Sequence, residues 1–295
     1  MSDCPIWEQD GQDWPNRDSS RFIEAGGLEW HVQCQGSGPV LLLLHGTGAS
    51  THSWRGLLPL LAERFSVVAP DLPGHGFSQT APFHRMSLTA MARSIDTLLK
   101  ALAVSPALVA GHSAGAAILA RMCLDERLDA KGMISLNGAL LALRGLPGRV
   151  FSPVARALSL SGAAPRILSL GAAEPLLVNR LLRDTGSRID AEGVRLYRRL
   201  ARKPAHVAAA LDMMANWNLE RLEDQLSELS VPLLLIVGAR DRSVPPAQAR
   251  HIGALAPRAE VISMPGLGHL AHEEAPRETA AHIADFARRV KVLRG

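Results

Sequence analysis

Short, uninterrupted apolar runs recur along this chain, and each one stops at turn-forming residues. Six such runs follow residue 38: Pro39–Leu44, Phe65–Ala69, Ala107–Ala110, Lys131–Leu136, Leu233–Val237 and Ala259–Met264. Continuous apolar runs, in contrast to alternating apolar and polar residues, are typical of strands buried on both faces of a parallel sheet. Before them, residues 21–35 contain the Gly26-Gly27 pair that predicts a β-hairpin.

Helical patterns separate most of these runs. After Ser87, an expected N-cap, the apolar residues of 88–102 keep a helical spacing. A similar spacing follows Ser113, and Pro276 is expected to open the last helix. Alternating strands and helices predict an α/β fold, with a mostly parallel central sheet and helices on both faces.

One part of the chain breaks this alternation. Residues 139–229 contain no strand-like run, only helical pieces punctuated by prolines. We therefore expect a helical cap at 139–229, inserted between the sixth and seventh strands of an α/β core formed by 21–138 and 230–295. Residues 1–20 are expected to form a loose N-terminal leader, whose Trp14 either packs on the core or reaches a partner.

The positive charge is concentrated in the cap. Residues 144–203 carry eleven Arg and one Lys against four acidic residues, a net charge of +8 in a chain whose total is +4. These Arg are interspersed with apolar residues and are not laid along a groove-reading element, which argues against a nucleic-acid partner. Either they form a solvated outer face, or some attract carboxylates, phosphates or an anionic membrane surface.

The remaining composition is that of a globular protein, with 47% hydrophobic and 20% charged residues. No stretch reaches about 18 consecutive apolar residues, so no membrane span is expected. The acidic N-terminus lacks the apolar core of a secretion signal, and the three Cys have no framework spacing. We expect free thiols, no bound metal, no cofactor, and a cytoplasmic protein whose membrane contact is at most peripheral.

The sequence GHSAG at 111–115 places a serine between two glycines, directly after an apolar run and before a helical pattern. This strand–turn–helix context predicts a nucleophile elbow at Ser113. Glycines are expected there because the residues two before and two after a strained serine are crowded against the neighbouring strand and helix. The alternative interpretation is that Ser113 is an ordinary small residue in a turn.

An acid and a histidine follow the last two apolar runs. Asp241 comes after the first of these runs and His269 after the second, which is the chain order of the triad in nucleophile-elbow enzymes. His269 is predicted to take the proton of Ser113, and Asp241 to hold the imidazole in the right tautomer. The alternatives left open are Asp212 and Asp224 for the acid and His272 for the histidine.

An oxyanion hole is predicted from the turn HGTG at 45–48, which ends the first apolar run. The backbone N–H of Thr47 is expected to point into the pocket, with the N–H of Ala114 as the second donor. Three further histidines are expected to be structural: His45, His75 and His112.

A substrate pocket is expected beside these groups. The candidates for its lining are His52, Trp54, Met213, Met214 and Trp217. The first two lie in the loop after the oxyanion turn. The last three are also open to a second interpretation, as the hydrophobic core of the cap.

Taken together, the motifs resemble the α/β-hydrolase superfamily. The resemblance rests on HGTG at 45–48, APDLPGHG at 69–76, GHSAGA at 111–116, GARDRSVPP at 238–246 and PGLGH at 265–269. It covers most of residues 21–290 and implies the α/β-hydrolase fold with a Ser-His-Asp triad. A serine at the elbow argues against haloalkane dehalogenases and epoxide hydrolases, which carry an Asp there.

A narrower resemblance is carried by further stretches. These are DWPNR at 13–17, WHVQ at 30–33, LLLLHGTGASTHSWR at 41–55, GHSAGAAILARM at 111–122 and ISLNGAL at 134–140. They are similar to the magnesium-chelatase accessory proteins of bacteriochlorophyll biosynthesis, the BchO family. This implies a role in photosynthetic pigment synthesis, with magnesium-chelatase subunits and a tetrapyrrole as partners. A porphyrin is apolar and carries two propionates, which suits an apolar, Arg-bearing cap.

Three functions are compatible with these motifs. The first is a serine hydrolase acting on an ester or related acyl bond, which the complete triad with both flanking glycines favours. The second is a non-catalytic accessory protein that binds a porphyrin or docks on the chelatase and keeps the hydrolase fold. The third is another reaction on the same triad, such as C–C bond hydrolysis or cofactor-free perhydrolysis.

Overall fold

A single mixed sheet forms the centre of the protein in a computed structural model that describes residues 2–142, 154, 157–158, 161–172 and 174–294. Its strands are β1 (Ser20–Ala25), β2 (Leu28–Gln35), β3 (Val40–Leu44), β4 (Ser66–Pro70), β5 (Leu108–His112), β6 (Gly132–Leu136), β7 (Leu233–Gly238) and β8 (Ala259–Met264). The spatial order is β1-β2-β4-β3-β5-β6-β7-β8. The pairs β1–β2 and β2–β4 are antiparallel, and all other neighbours are parallel. The predicted α/β class and the hairpin at Gly26-Gly27 are confirmed.

Helices cover both faces of this sheet. They are α1 (Trp7–Asp10), α2 (Leu58–Ala62), α3 (Leu88–Ala101), α4 (Ala114–Leu124), α5 (Ala164–Gly171), α6 (Pro175–Asp184), α7 (Ala191–Ala201), α8 (Pro204–Ala215), α9 (Glu220–Asp224), α10 (Pro246–Leu255), α11 (Ala271–Glu274) and α12 (Pro276–Arg289). Ser87 directly precedes α3, as predicted, although its side chain makes no capping hydrogen bond.

The alternation of side chains along the strands divides the core into two layers. Leu42 and Leu44 of β3 pack with α3, α4 and α10 in one apolar cluster. Leu41 and Leu43 of the same strand pack with α2 and α12 in a second cluster on the opposite face. Because successive side chains of a strand point to opposite faces, a continuous Leu run fills both layers.

The last strand departs from the expected pattern of burial. β8 pairs with β7 at the end of the sheet, and Val261 in its middle is 40% exposed. The prediction of burial on both faces is therefore wrong for β8, because an edge strand is covered on fewer sides. The described residues between β6 and β7 form α5 to α9 and no strand.

The N-terminal leader is not loose. Trp14 is 2% exposed, and its indole N–H donates to Thr51 Oγ1 at 3.1 Å. The Trp14 ring lies edge-on to Phe77 of the core, with 4.8 Å between ring centroids, and it shares a cluster with Leu196 and Leu200 of α7. The leader therefore packs between the core and the helices that follow β6.

Acidic residues of the leader also pair with the basic part of the chain. Asp13 accepts hydrogen bonds from Arg199, at 2.6 and 3.0 Å, and it lies 2.7 Å from Arg195. The hydrogen bonds from Arg199 hold the pKa of the Asp13 carboxyl below its usual range. Asp10 pairs with Lys203 at 2.7 Å. Long-range ion pairs thus neutralise several of the charges counted between residues 144 and 203.

Candidate active site

The turn between β5 and α4 is strained at Ser113, which has φ 50° and ψ −116°. Its flanking glycines are required by close contacts. A Cβ on Gly111 would lie 2.4 Å from the Ala116 nitrogen, and one on Gly115 would lie 2.1 Å from the Leu44 oxygen. A positive φ at a non-glycine residue is uncommon and concentrates at functional sites. The local geometry is therefore that of a nucleophile elbow.

Asp241 and His269 meet at the carboxyl ends of β7 and β8. His269 Nδ1–H donates to Asp241 Oδ2 at 2.8 Å, and both side chains are almost completely buried. The other carboxylate oxygen, Oδ1, accepts the backbone N–H groups of Ser243 and Val244 at 2.8 and 2.9 Å. These bonds fix the carboxylate and leave Nε2 of the imidazole as the ring nitrogen free to act as a base.

Asn137 completes this arrangement, although it was not among the site residues predicted from the sequence. Its Nδ2 donates to Asp241 Oδ2 at 2.8 Å and to the Gly268 carbonyl at 3.3 Å. Asn137 has φ 47° and directly follows β6. The sequence does carry one signal for Asn137, which is its position directly after a buried strand. Ser113, Asp241 and His269 also follow buried strands.

Ser113 and His269 are brought to the same edge of the sheet without a direct hydrogen bond. The link between their loops is the neighbouring His112, whose Nε2–H donates to the His269 carbonyl at 3.0 Å. Burial, together with nearby His272 and His269, holds the pKa of His112 well below its ordinary value, so its ring is neutral. In free enzymes the catalytic hydrogen bonds are often long and tighten when substrate binds.

The predicted oxyanion donors lie beside Ser113. The Gly46 carbonyl accepts from His45 Nδ1–H at 2.8 Å, and His45 Nε2 accepts the Leu72 N–H at 2.9 Å. This fixes the peptide plane between Gly46 and Thr47, so the Thr47 N–H points away from the bonded carbonyl. Ala114 is the first residue of α4, where a backbone N–H has no partner within the helix. His45 is thus structural, as predicted.

Thr47, Ser113 and Ala114 line one cavity of about 420 Å³. Its other described lining residues are Ala139, Leu141, Ala142, Met214, Trp217, Asn218, Leu219, Glu220, Ser243, Val244 and Gln248. Glu220 is the one charged side chain among them. The cavity therefore presents mostly apolar surface next to the nucleophile, and residues of α8 and α9 contribute one wall.

Of the predicted lining residues, Met214 and Trp217 contact this cavity and the other three do not. Met213 is fully buried beneath the oxyanion turn, where its Sδ accepts from Thr47 Oγ1 at 3.3 Å. His52 and Trp54 lie in a short helical turn that directs both side chains into the interior. His52 faces the Tyr197 ring of α7 at 4.4 Å between centroids, and Trp54 faces the His272 ring at 4.8 Å.

The alternative triad residues lie elsewhere. His272 Nε2 is bonded to Ser53 Oγ at 2.8 Å, and burial lowers the pKa of His272 to about 3. Asp224 is exposed on α9, and Asp212 lies in α8. Of these candidates, Asp241 and His269 are the pair joined by a direct side-chain hydrogen bond.

The described residues show neither a metal site nor a membrane span. Within them, no group of three or more His, Cys, Asp or Glu side chains is arranged to hold a metal ion. The helices in the described part of the chain are too short or too polar to cross a bilayer. Cys4, Cys34 and Cys123 are free thiols.

The fold and this site define a protein of the hydrolase type, with a strained serine at a strand end and a bonded Asp–His pair beside it. The profile of the alpha/beta hydrolase fold family matches residues 39–276. The chain therefore belongs to the α/β-hydrolase family.

Two protein relatives and one solved structure illustrate this membership. The magnesium-chelatase 30 kDa subunit of Rhodobacter capsulatus is 40% identical over 276 residues, which is 92% of this chain and 96% of that protein. The uncharacterized hydrolase YugF of Bacillus subtilis is 26% identical over 276 residues, covering 90% and 96%. The crystal structure of an alpha/beta hydrolase fold protein from Burkholderia ambifaria superposes with a TM-score of 0.77 at 26% identity, covering 91% and 98%. The first relative confirms the narrower resemblance seen in the sequence.

Proposed function

We propose that this protein is a serine hydrolase that cleaves an ester or a related acyl bond. Ser113 attacks the carbonyl carbon, and His269 Nε2 takes the serine proton and then gives it to the leaving group. Asp241 holds the imidazole in its tautomer and stabilises the charged ring. The backbone N–H groups of Thr47 and Ala114 bind the oxyanion, where losing one donor costs about 3 kcal/mol.

The observation that carries this proposal is the 2.8 Å bond from His269 to Asp241 beside a strained Ser113. A strained φ and a fully bonded buried carboxylate are costly to maintain without a use for them. The cavity supports an apolar substrate, because its described lining contains no Lys or Arg. We therefore expect an uncharged ester to bind there in preference to a free carboxylate.

The cellular role that we propose is service to magnesium-chelatase and bacteriochlorophyll biosynthesis. It is supported by 40% identity to the magnesium-chelatase 30 kDa subunit of Rhodobacter capsulatus over 92% of this chain. The partners would be a tetrapyrrole ester as substrate and chelatase subunits. We place the protein in the cytoplasm, in peripheral contact with a membrane, with residues 139–229 acting as a cap over the cavity.

A second function is favoured by one specific observation: the relative that is 40% identical is named as a subunit of magnesium-chelatase and not as a hydrolase. The missing hydrogen bond between Ser113 Oγ and His269 among the described contacts is compatible with an idle triad and with a free enzyme alike. With an idle triad, the protein would bind a porphyrin or dock on the chelatase without catalysing a reaction.

A fluorophosphonate probe separates the two functions, because it reacts with an activated serine and hardly with an idle one. We expect labelling of the wild type and loss of labelling in Ser113→Ala and His269→Ala. Ser243→Ala is the matched control, since Ser243 lines the same cavity but lies outside the triad. If the folded wild type is not labelled, the hydrolase proposal fails, and titration with protoporphyrin and with chelatase subunits tests the second function.

A further inference from the structure

Helices α5 and α6 expose an unusual amount of aliphatic surface. Six large side chains on these two helices are between 41% and 79% exposed, and we call them the apolar face: Ile167, Leu168, Leu170, Leu176, Leu177 and Leu181. The two helices approach each other here, because Leu177 Cδ2 of α6 would lie 3.5 Å from a Cβ placed on Gly171 at the end of α5. Scattered exposed Leu residues are ordinary, but a contiguous patch marks an interaction surface.

A second feature adjoins this face. One groove of about 950 Å³ is lined by four exposed arginines, which we call the arginine groove: Arg183, Arg188, Arg240 and Arg242. None of the four forms a salt bridge with a described residue, and the described lining contains no Asp or Glu. An unpaired cluster of guanidinium groups attracts phosphate or carboxylate groups of a partner.

The two features lie on the same side of α6. Leu176 belongs to the apolar face and also lines the arginine groove. Leu176, Arg180 and Arg183 are spaced four and three residues apart, so they form one stripe along the helix. Arg180 is 82% exposed, with Asp184 at 3.8 Å as its acidic neighbour. Apolar and cationic side chains thus alternate over a single exposed surface.

We propose that the apolar face and the arginine groove together dock this protein on an anionic lipid bilayer. Short amphipathic helices with Leu residues beside Arg lie in the membrane interface, where the Leu side chains enter the acyl boundary and the Arg side chains bind headgroup phosphates. The cores of protein interfaces are enriched in aromatic residues, whereas the apolar face consists of Leu and Ile alone and the described lining of the arginine groove contains no aromatic residue. Aliphatic side chains beside unpaired Arg, with no Asp or Glu in that lining, match the acyl chains and the anionic headgroups of a bilayer better than they match another protein.

The proposal is tested by flotation of the purified protein with phosphatidylcholine vesicles, prepared with and without phosphatidylglycerol. We expect binding to the anionic vesicles and a decrease in binding as the salt concentration rises. Arg183→Gln with Arg188→Gln should weaken binding by about thirtyfold at low salt. Leu170→Gln with Leu176→Gln should weaken it on the order of thirtyfold at any salt concentration.

Matched controls use exposed residues of the same types outside this surface. Val261→Gln on β8 and Arg250→Gln on α10 should bind vesicles like the wild type. The proposal is overturned if the wild type does not float with either vesicle, or if both double variants float as it does. It is also overturned if light scattering shows a dimer that the Leu double variant dissociates, because a second copy then occupies the face.

Discussion

His206 lies where α8 contacts two loops of the core, and its hydrogen bonds require a neutral ring. Its Nδ1 accepts the Gly76 N–H at 3.2 Å, and its Nε2–H donates to the Gly48 carbonyl at 3.1 Å. A doubly protonated imidazole has no acceptor for the Gly76 N–H. Burial lowers the pKa of His206 from the ordinary value of 6.5 to about 4. Acid should therefore weaken the attachment of α8 to the loop that carries Gly76, whereas the bond to the Gly48 carbonyl is kept.

The size of this effect follows from the two pKa values. Below pH 6.5 the unfolded chain binds a proton that the folded His206 does not, so the free energy of unfolding falls as the pH falls. The loss continues until the folded pKa near 4 is reached. Each unit of difference between the unfolded and the folded pKa is worth about 1.36 kcal/mol. His206 alone should therefore lower the free energy of unfolding by about 2.5 kcal/mol between pH 7 and pH 4.5.

Urea unfolding at several pH values in this window tests the reasoning. Other buried histidines add to the loss in the wild type, so the informative quantity is its difference from His206→Gln. The Gln side chain keeps a donor and an acceptor but does not titrate. From pH 7 to pH 4.5, the free energy of unfolding of His206→Gln should therefore fall by about 2.5 kcal/mol less than that of the wild type. His251→Gln is the control, because His251 is exposed. Equal pH dependence in the wild type and His206→Gln would refute the assignment.

Three other changes probe the site and its supports. Asn137→Ala removes the 2.8 Å donor to Asp241 and should slow fluorophosphonate labelling by about tenfold to a hundredfold; an unchanged rate would contradict a positioning role. Gly115→Ala places a Cβ 2.1 Å from the Leu44 oxygen and should lower the free energy of unfolding by about 2 kcal/mol or more. Gly162→Ala is the control and should leave that free energy unchanged, because a Cβ on Gly162 would have no atom within 4 Å. Trp14→Ala should cost about 3 kcal/mol and speed hydrogen exchange in α7, and unaltered exchange there would show that the leader does not hold the cap.

The fold was predictable because its signal is local. A run such as Leu41–Leu44 is buried on both sides of the sheet, so its burial is visible as uninterrupted hydrophobicity. The Asp241–His269 pair was predictable for a related reason. Parallel strands present their carboxyl ends at one edge, so polar residues directly after buried runs meet there. Asp241 and His269 follow the last two apolar runs, and these runs form the neighbouring parallel strands β7 and β8.

Other features depend on contacts between distant parts of the chain, which periodicity does not reveal. Asn137 supports Asp241 from a left-handed backbone conformation. The pair Asn137-Gly138 indicates a turn, but it does not reveal that the Asn side chain reaches Asp241. His52 and Trp54 follow the oxyanion turn closely, but the helical turn of 51–54 directs them inward. Proximity along the chain therefore gave the wrong answer for pocket lining.

The basic charge of residues 144–203 shows why a count of charges does not identify a partner. Four of these cations lie in two different environments in the structure. Arg199 and Lys203 pair with Asp13 and Asp10 of the leader, so their charge is already neutralised within the molecule. Arg183 and Arg188 instead line an exposed groove with arginines from the loop after β7, and that loop also carries Asp241. The sequence placed all of them in one basic segment, but Arg199 and Lys203 are paired within the molecule, whereas Arg183 and Arg188 form no salt bridge with a described residue.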